Sequence, residues 1–97
     1  SATNGLALVR VEGTSMEPDY RPGDRVLVDT TRTLPTPAGA FIIWDGLGLA
    51  IKNVELIPRS DPPRIRLMST NPEFGTYELP LEEGVIVARV VGKWQWR

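Results

Sequence analysis

The stretch Gly13-Thr14-Ser15-Met16-Glu17-Pro18 presents a hydroxyl in a turn-prone segment, and Pro22-Gly23-Asp24-Arg25-Val26-Leu27-Val28 follows closely. The chain contains no His and no Cys, so a serine nucleophile here has no imidazole to take its proton. A nucleophilic hydroxyl is weak until some base does so. Only two lysines exist, Lys52 and Lys93. Lys52 sits within the apolar run from Leu47 to Val54, where burial disfavours the ammonium form. A Ser–Lys pair is a variant of the triad logic. An exposed lysine titrates near ~10.4, and bringing it to roughly 7–8 takes ~3–5 kcal/mol of differential stabilisation. Leu49, Ile51 and Val54 are near enough in sequence to help exclude water. No carboxylate lies between Gly46 and Val54, so no local partner is expected to hold Lys52 charged. Asn53 can donate or accept without adding charge.

The elements that must carry these residues are short apolar runs broken by turn signals. Strands are predicted over Leu6–Val11, Arg25–Asp29, Ala40–Trp44, Gly48–Ile57, Arg64–Met68, Thr76–Leu79 and Val85–Val91, and Trp94-Gln95-Trp96 follows the last of them. Val26 and Val28 alternate, as on a half-buried strand. Asp45-Gly46 is a hairpin signal. Glu17–Tyr20 is read as a single helical turn after the serine segment. Thr30–Gly39, with Pro35 and Pro37, reads as a loop. About eight short strands at this spacing argue a mostly-β barrel or sandwich-like fold. Residues 1–8 are read as a tail or linker remnant and residues 9–97 as one domain, the count that the length of 97 residues implies.

Gly13–Pro18 together with Arg21–Val28 resembles the serine motif of the LexA and phage-repressor peptidases, the self-cleaving C-terminal domains of bacterial repressors. Ile51-Lys52-Asn53-Val54 falls where that family carries its lysine, 37 positions after Ser15. Arg66–Phe74 is similar to the family's Ser-x-Asn-Pro segment, and Ile86–Gly92 to its closing strand. The resemblance implies a compact LexA/signal-peptidase-like β-fold in which Ser15 and Lys52 are the catalytic pair. It also implies oxyanion donation by the backbone N–H of Ser15, with that of Thr14, and places Met16 beside the cleft. It implies cleavage of a linker N-terminal to the serine motif, a homodimer, a cytoplasmic location, and a RecA filament as activating partner in an SOS or prophage setting. Contact with DNA would come only through a helix-turn-helix domain upstream. The start at Ser1 rather than Met is read accordingly as the mark of a fragment or processed product. Ala38-Gly39 matches the small-residue type of bond such enzymes cut, but it lies after Ser15 and is read as structural.

Two other classes stay open at this level. One is a catalytically silent dimerisation or sensing module with the same fold. The other is a signal-peptidase-type protease, which shares the Ser-Met-x-Pro and Lys pattern and carries a membrane anchor. Taken singly, Ser15 reads as an ordinary turn residue and Lys52 as a strand lysine snorkelling to water. The composition narrows the rest. Net charge is −1 with Lys and Arg numbering 11, which lacks the basic excess that phosphate neutralisation requires. No apolar run approaches the ~20 residues of a membrane span. Without Cys or His, no metal or other cofactor is expected. Arg64 and Arg66 share one strand face and read as wet surface, and Trp94 and Trp96 share another, read as packing or a dimer contact.

Overall fold

A computed structural model of the chain describes residues 4–94. Seven strands form one sheet: β1 (Leu6–Arg10), β2 (Arg25–Asp29), β3 (Gly39–Trp44), β4 (Leu49–Leu56), β5 (Arg64–Met68), β6 (Tyr77–Pro80) and β7 (Ile86–Trp94). Their spatial order is β1-β2-β7-β3-β4-β5-β6, and every neighbouring pair is antiparallel. The mostly-β expectation holds. Among the described residues β7 runs through Gly92 to Trp94 and so takes in the start of the Trp94-Gln95-Trp96 segment. Gln95 and Trp96 lie outside the described residues. β1 begins at Leu6, where the strand prediction placed it.

The helical turn after the serine segment is a single backbone bond, Tyr20 N–H to the Met16 carbonyl at 2.9 Å, and does not extend into a helix. Among the described residues the one helical element is a 3₁₀ turn at Leu81–Glu83, closed by Gly84 in the left-handed region at φ +66°. Three residues are too few to leave a periodic trace in the sequence.

Alternation along the strands explains the packing. A strand sends successive side chains to opposite faces, and Phe41-Ile42-Ile43 of β3 is buried throughout. β3 is therefore covered on both sides, as a continuous apolar run implies. One core cluster contains Val11, Met16, Val26, Val28, Ile42, Ile51 and Ala88. The other contains Phe41, Ile43, Val54, Ile65, Leu67 and Ile86. The segment from Val11 to Tyr20 closes over the first cluster, and β5, Leu79 and Leu81 close over the second. One row of paired residues crosses the sheet: Leu6 pairs with Asp29, Asp29 with Arg89, Arg89 with Phe41, and Phe41 with Lys52, while the register of β7 shifts at Leu27/Val28 of β2 and at Ile42/Ile43 of β3.

Two charged groups are handled differently by this sheet. Arg89 is 8% exposed. Its guanidinium lies 4.4 Å from the Phe41 ring centroid and donates to the carbonyls of Leu34 and Pro37. It fastens the proline-containing loop to the sheet, and Gly39 leaves it room, since a Cβ there would stand 2.8 Å from Arg89 Nη1. Arg66 instead stays on the wet face, paired with Glu55 and Glu78 on the flanking strands. That ladder leaves it little charge to offer an external anion.

Candidate active site

Ser15 stands in a loop whose base is tied by two backbone bonds, Val11 N–H to Asp24 O at 2.8 Å and Gly23 N–H to Val11 O at 2.9 Å. The Pro22-Gly23-Asp24 motif supplies the return. Asp24 N–H bonds the Arg21 carbonyl at 3.0 Å, and Gly23 has φ +94°, the type II arrangement with proline and then glycine at the central positions. Asp24 Oδ2 also accepts from the Arg21 amide at 2.9 Å. A Cβ at Gly23 would meet nothing within 4 Å, so Gly23→Ala costs only the left-handed backbone penalty, about 1–2 kcal/mol. Urea unfolding of that variant will show the loss as a lower midpoint with an unchanged slope.

Within the loop, Glu17 N–H bonds the Thr14 carbonyl at 3.1 Å, making Ser15 and Met16 the central residues of a tight turn. Met16 is 1% exposed and belongs to the first core cluster, so it anchors the turn from beneath rather than lining an open cleft. Ser15 is half-buried and Thr14 exposed. Among the described residues, neither the Thr14 nor the Ser15 amide donates to a protein acceptor. Both are therefore available to a developing oxyanion, the role the resemblance assigns them.

Lys52 lies on β4, half-buried, with Nζ donating to Ser69 Oγ at 2.8 Å and standing 5.6 Å from the Phe74 ring centroid. Burial lowers its pKa from the ordinary lysine value, and the carboxylate of Asp45 partly opposes the fall. Asp45 lies just outside the carboxylate-free window read from the sequence, so a local charge does favour the ammonium. Asp45 stays ionised because the Leu47 and Gly48 amides hydrogen-bond it and hold its own pKa down. Of the apolar neighbours expected to dry the amine, Val54 is buried in the second cluster, Ile51 is buried in the first cluster, and Leu49 is exposed. The other lysine is on the far flank of the loop: Lys93 Nζ donates to the Asp19 carbonyl and lies 5.2 Å from the Tyr20 ring centroid.

Ser15 and Lys52 converge on one three-residue segment, Ser69-Thr70-Asn71. Ser69 holds the amine. Asn71 N–H bonds the Ser15 carbonyl at 2.9 Å, and Asn71 Nδ2 donates to the Thr14 carbonyl at 3.1 Å. Between them Thr70 Oγ1 accepts from Asn53 Nδ2 at 3.2 Å, donates to Asp19 Oδ2 at 3.1 Å, and lies 3.9 Å from Met16 Sδ. Residues two apart span at most about 7 Å, so the serine turn and the lysine amine lie on the same side of the molecule. Among the described residues no hydrogen bond joins Ser15 Oγ to Lys52 Nζ. Hydrogen bonds of catalytic groups are commonly longer in the unliganded state and tighten with substrate.

The roles of Ser69 and Thr70 were not legible beforehand. The available signal was the resemblance of Arg66–Phe74 to a Ser-x-Asn-Pro segment, which marked the place without saying what it holds. Asn71 explains its own part in that motif, since Oδ1 accepts from the Glu73 amide at 3.0 Å and fixes the turn before Phe74. Ser69→Ala removes the acceptor that orients the amine. Loss of one such hydrogen bond is worth about 1 kcal/mol, so any cleavage that depends on Lys52 is expected to slow roughly fivefold, with Ser69→Thr restoring most of it.

A half-buried lysine, a serine at the apex of a pinned turn and two amides without a protein acceptor among the described residues are the kinds of group that serine acyl transfer uses. A family model described as Peptidase S24-like matches residues 1–91. The chain belongs to this family, that of the LexA and phage-repressor C-terminal peptidases. No curated protein and no solved structure matches it. Among the described residues no helix is long and apolar enough to cross a membrane.

Proposed function

We propose that this chain is the C-terminal domain of a bacterial or prophage repressor that cleaves its own linker with Ser15 as nucleophile and Lys52 as general base. The observation that carries the reading is the shared anchoring of the Ser15 turn and the Lys52 amine by Ser69-Thr70-Asn71. Neutral Lys52 takes the proton from Ser15 Oγ as the oxygen attacks the scissile carbonyl carbon. The Thr14 and Ser15 amides stabilise the oxyanion. As the tetrahedral intermediate collapses, the Lys52 ammonium returns the proton to the departing amine. Water, deprotonated by the same amine, then releases the acyl group from Ser15.

In this reading the domain also dimerises, so that upstream helix-turn-helix domains can occupy paired half-sites, and cleavage lowers their effective concentration on DNA. A RecA filament would act by favouring the cleaving geometry. The Lys52–Ser69 bond favours one alternative, a silent dimerisation or sensing module in which the amine is permanently engaged. Incubating the parent protein at alkaline pH beside Ser15→Ala and Lys52→Ala separates the two. Fragmentation of the wild type alone, at a single bond defined by mass spectrometry, supports the peptidase. A wild type that stays intact while its dimer persists supports the silent module.

A further inference from the structure

Beside Lys52 lies an open cleft of about 740 Å³, set between the β3–β4 hairpin and the face of β5 and β6. That volume falls in the range of ligand sites. Ile43, Trp44, Ala50, Leu67, Tyr77 and Leu79 form its apolar walls. Trp44 and Tyr77 are exposed, so two aromatic surfaces face an unfilled space. Leu47, at the hairpin tip, is 95% exposed. It is nevertheless held in place, because Asp45 Oδ1 accepts from the Leu47 and Gly48 amides at 2.8 and 2.9 Å.

The charges around this cleft are one-sided. Asp45 and Glu83 line it, and the sole cation among its lining residues is Lys52, whose amine is turned to Ser69. Arg66, adjacent to Leu67 in β5, is engaged with Glu55 and Glu78. A ligand entering the cleft therefore meets apolar walls and two carboxylates, with the candidate general base at its edge.

We propose that the cleft is a specificity subsite for a peptide, bent at the site, that carries a large aliphatic or aromatic side chain next to a lysine or arginine. The large side chain fills the space between Trp44, Tyr77 and Leu79, which a methyl group would leave to water. The basic neighbour meets Asp45 and Glu83. The proposal rests on the reading of Ser15 and Lys52 as the cleaving pair, because it makes the peptide a substrate. It deepens that reading by setting a requirement for residues flanking the cut bond, beyond the small residues at the bond itself.

The test uses the 97-residue chain carrying Ser15→Ala and uniformly labelled with nitrogen-15, so that binding is scored without turnover. Three blocked decapeptides in a Gly/Ser background contain Leu-Arg, Ala-Arg or Leu-Glu. The expected result is amide shifts in residues 44–52 and 77–83, with Leu-Arg binding at least fivefold tighter than either of the others. Trp44→Ala should weaken Leu-Arg at least fivefold, and Glu83→Gln should reduce the preference for Leu-Arg over Leu-Glu. Equal affinity for all three peptides, shifts confined to another face, or no shift at millimolar peptide overturns the proposal. So do concentration-dependent shifts of the same amides without peptide, which would assign the cleft to a second copy. Cleavage is measured separately on the wild type. Binding as expected without any wild-type cleavage removes the peptidase reading and leaves the cleft. Cleavage with no sequence preference removes the cleft proposal alone.

Discussion

Lys52→Ala will lower the rate of backbone cleavage by about 10⁴-fold or more, and Ser15→Ala will do the same. Groups that act as one unit are strongly non-additive, so the double variant should be no slower than either single one. The readout is the rate of fragment formation by the parent protein, followed from neutral to alkaline pH. In the wild type the rate should rise about tenfold per pH unit while the amine is mostly protonated. It should level off below the ordinary lysine value, because burial lowers the Lys52 pKa. Asp45→Asn removes the charge that opposes this fall and should move the profile toward lower pH. The same titration has a sign for stability. Between the folded and unfolded pKa values the unfolded chain binds more protons, so the contribution of Lys52 to stability rises with pH across that window. Activity and stability therefore shift in the same direction with alkalinisation, and a Lys52→Met chain should lose both dependences together.

Phe41→Ala will produce the largest loss of stability, about 3–5 kcal/mol. Phe41 is fully buried and sits in β3, which pairs with β4 on one side and β7 on the other. Truncation opens a cavity in the second core cluster and strips the aromatic face from the Arg89 guanidinium, 4.4 Å away. A desolvated cation–π contact is worth about 2 kcal/mol or more, so the cavity and the lost contact both contribute. Small domains have total stabilities of roughly 5–15 kcal/mol, and such a loss brings this chain near the edge of folding. Urea unfolding followed by circular dichroism will measure it. Leu47→Ser, at the exposed hairpin tip, is the contrasting control and should stay within about 0.5 kcal/mol of wild type.

What the sequence disclosed depended on how local the cause was. Arg25–Asp29 and Arg64–Met68 announce themselves because alternate residues are apolar, and the structure places those residues in the two clusters. Asp45-Gly46 announced the β3–β4 hairpin for the same reason, since the chemistry of the turn lies within the turn. The depressed pKa of Lys52 was likewise legible from the apolar run around it. Its partner was not. Ser69 lies 17 positions away, opposite Lys52 only because β4 and β5 pair in the register that sets Asn53 against Met68. Arg89 was hidden for a related reason. It stands in the most β-branched segment of the chain, and what lets it be buried is a pair of carbonyls in a loop more than fifty positions away. Met16 is placed beside a cleft by resemblance; its side chain is buried in the first core cluster, with Sδ 3.9 Å from Thr70 Oγ1 of the segment that holds Ser15 and Lys52.

The register that joins Leu6 to Lys52 also fixes a ruler across the molecule. The two residues stand at one level, separated by four strand spacings through Asp29, Arg89 and Phe41. At about 4.8 Å per spacing that is roughly 19 Å measured over the sheet. A segment approaching the amine from ahead of β1 must cover that breadth, which takes about six extended residues. On the proposed reading, a scissile bond closer to Leu6 than this along that path is left to the active site of a neighbouring molecule. On that reading leash length, as much as the chemistry of the cut bond, sets the balance between cleavage within one molecule and cleavage between two.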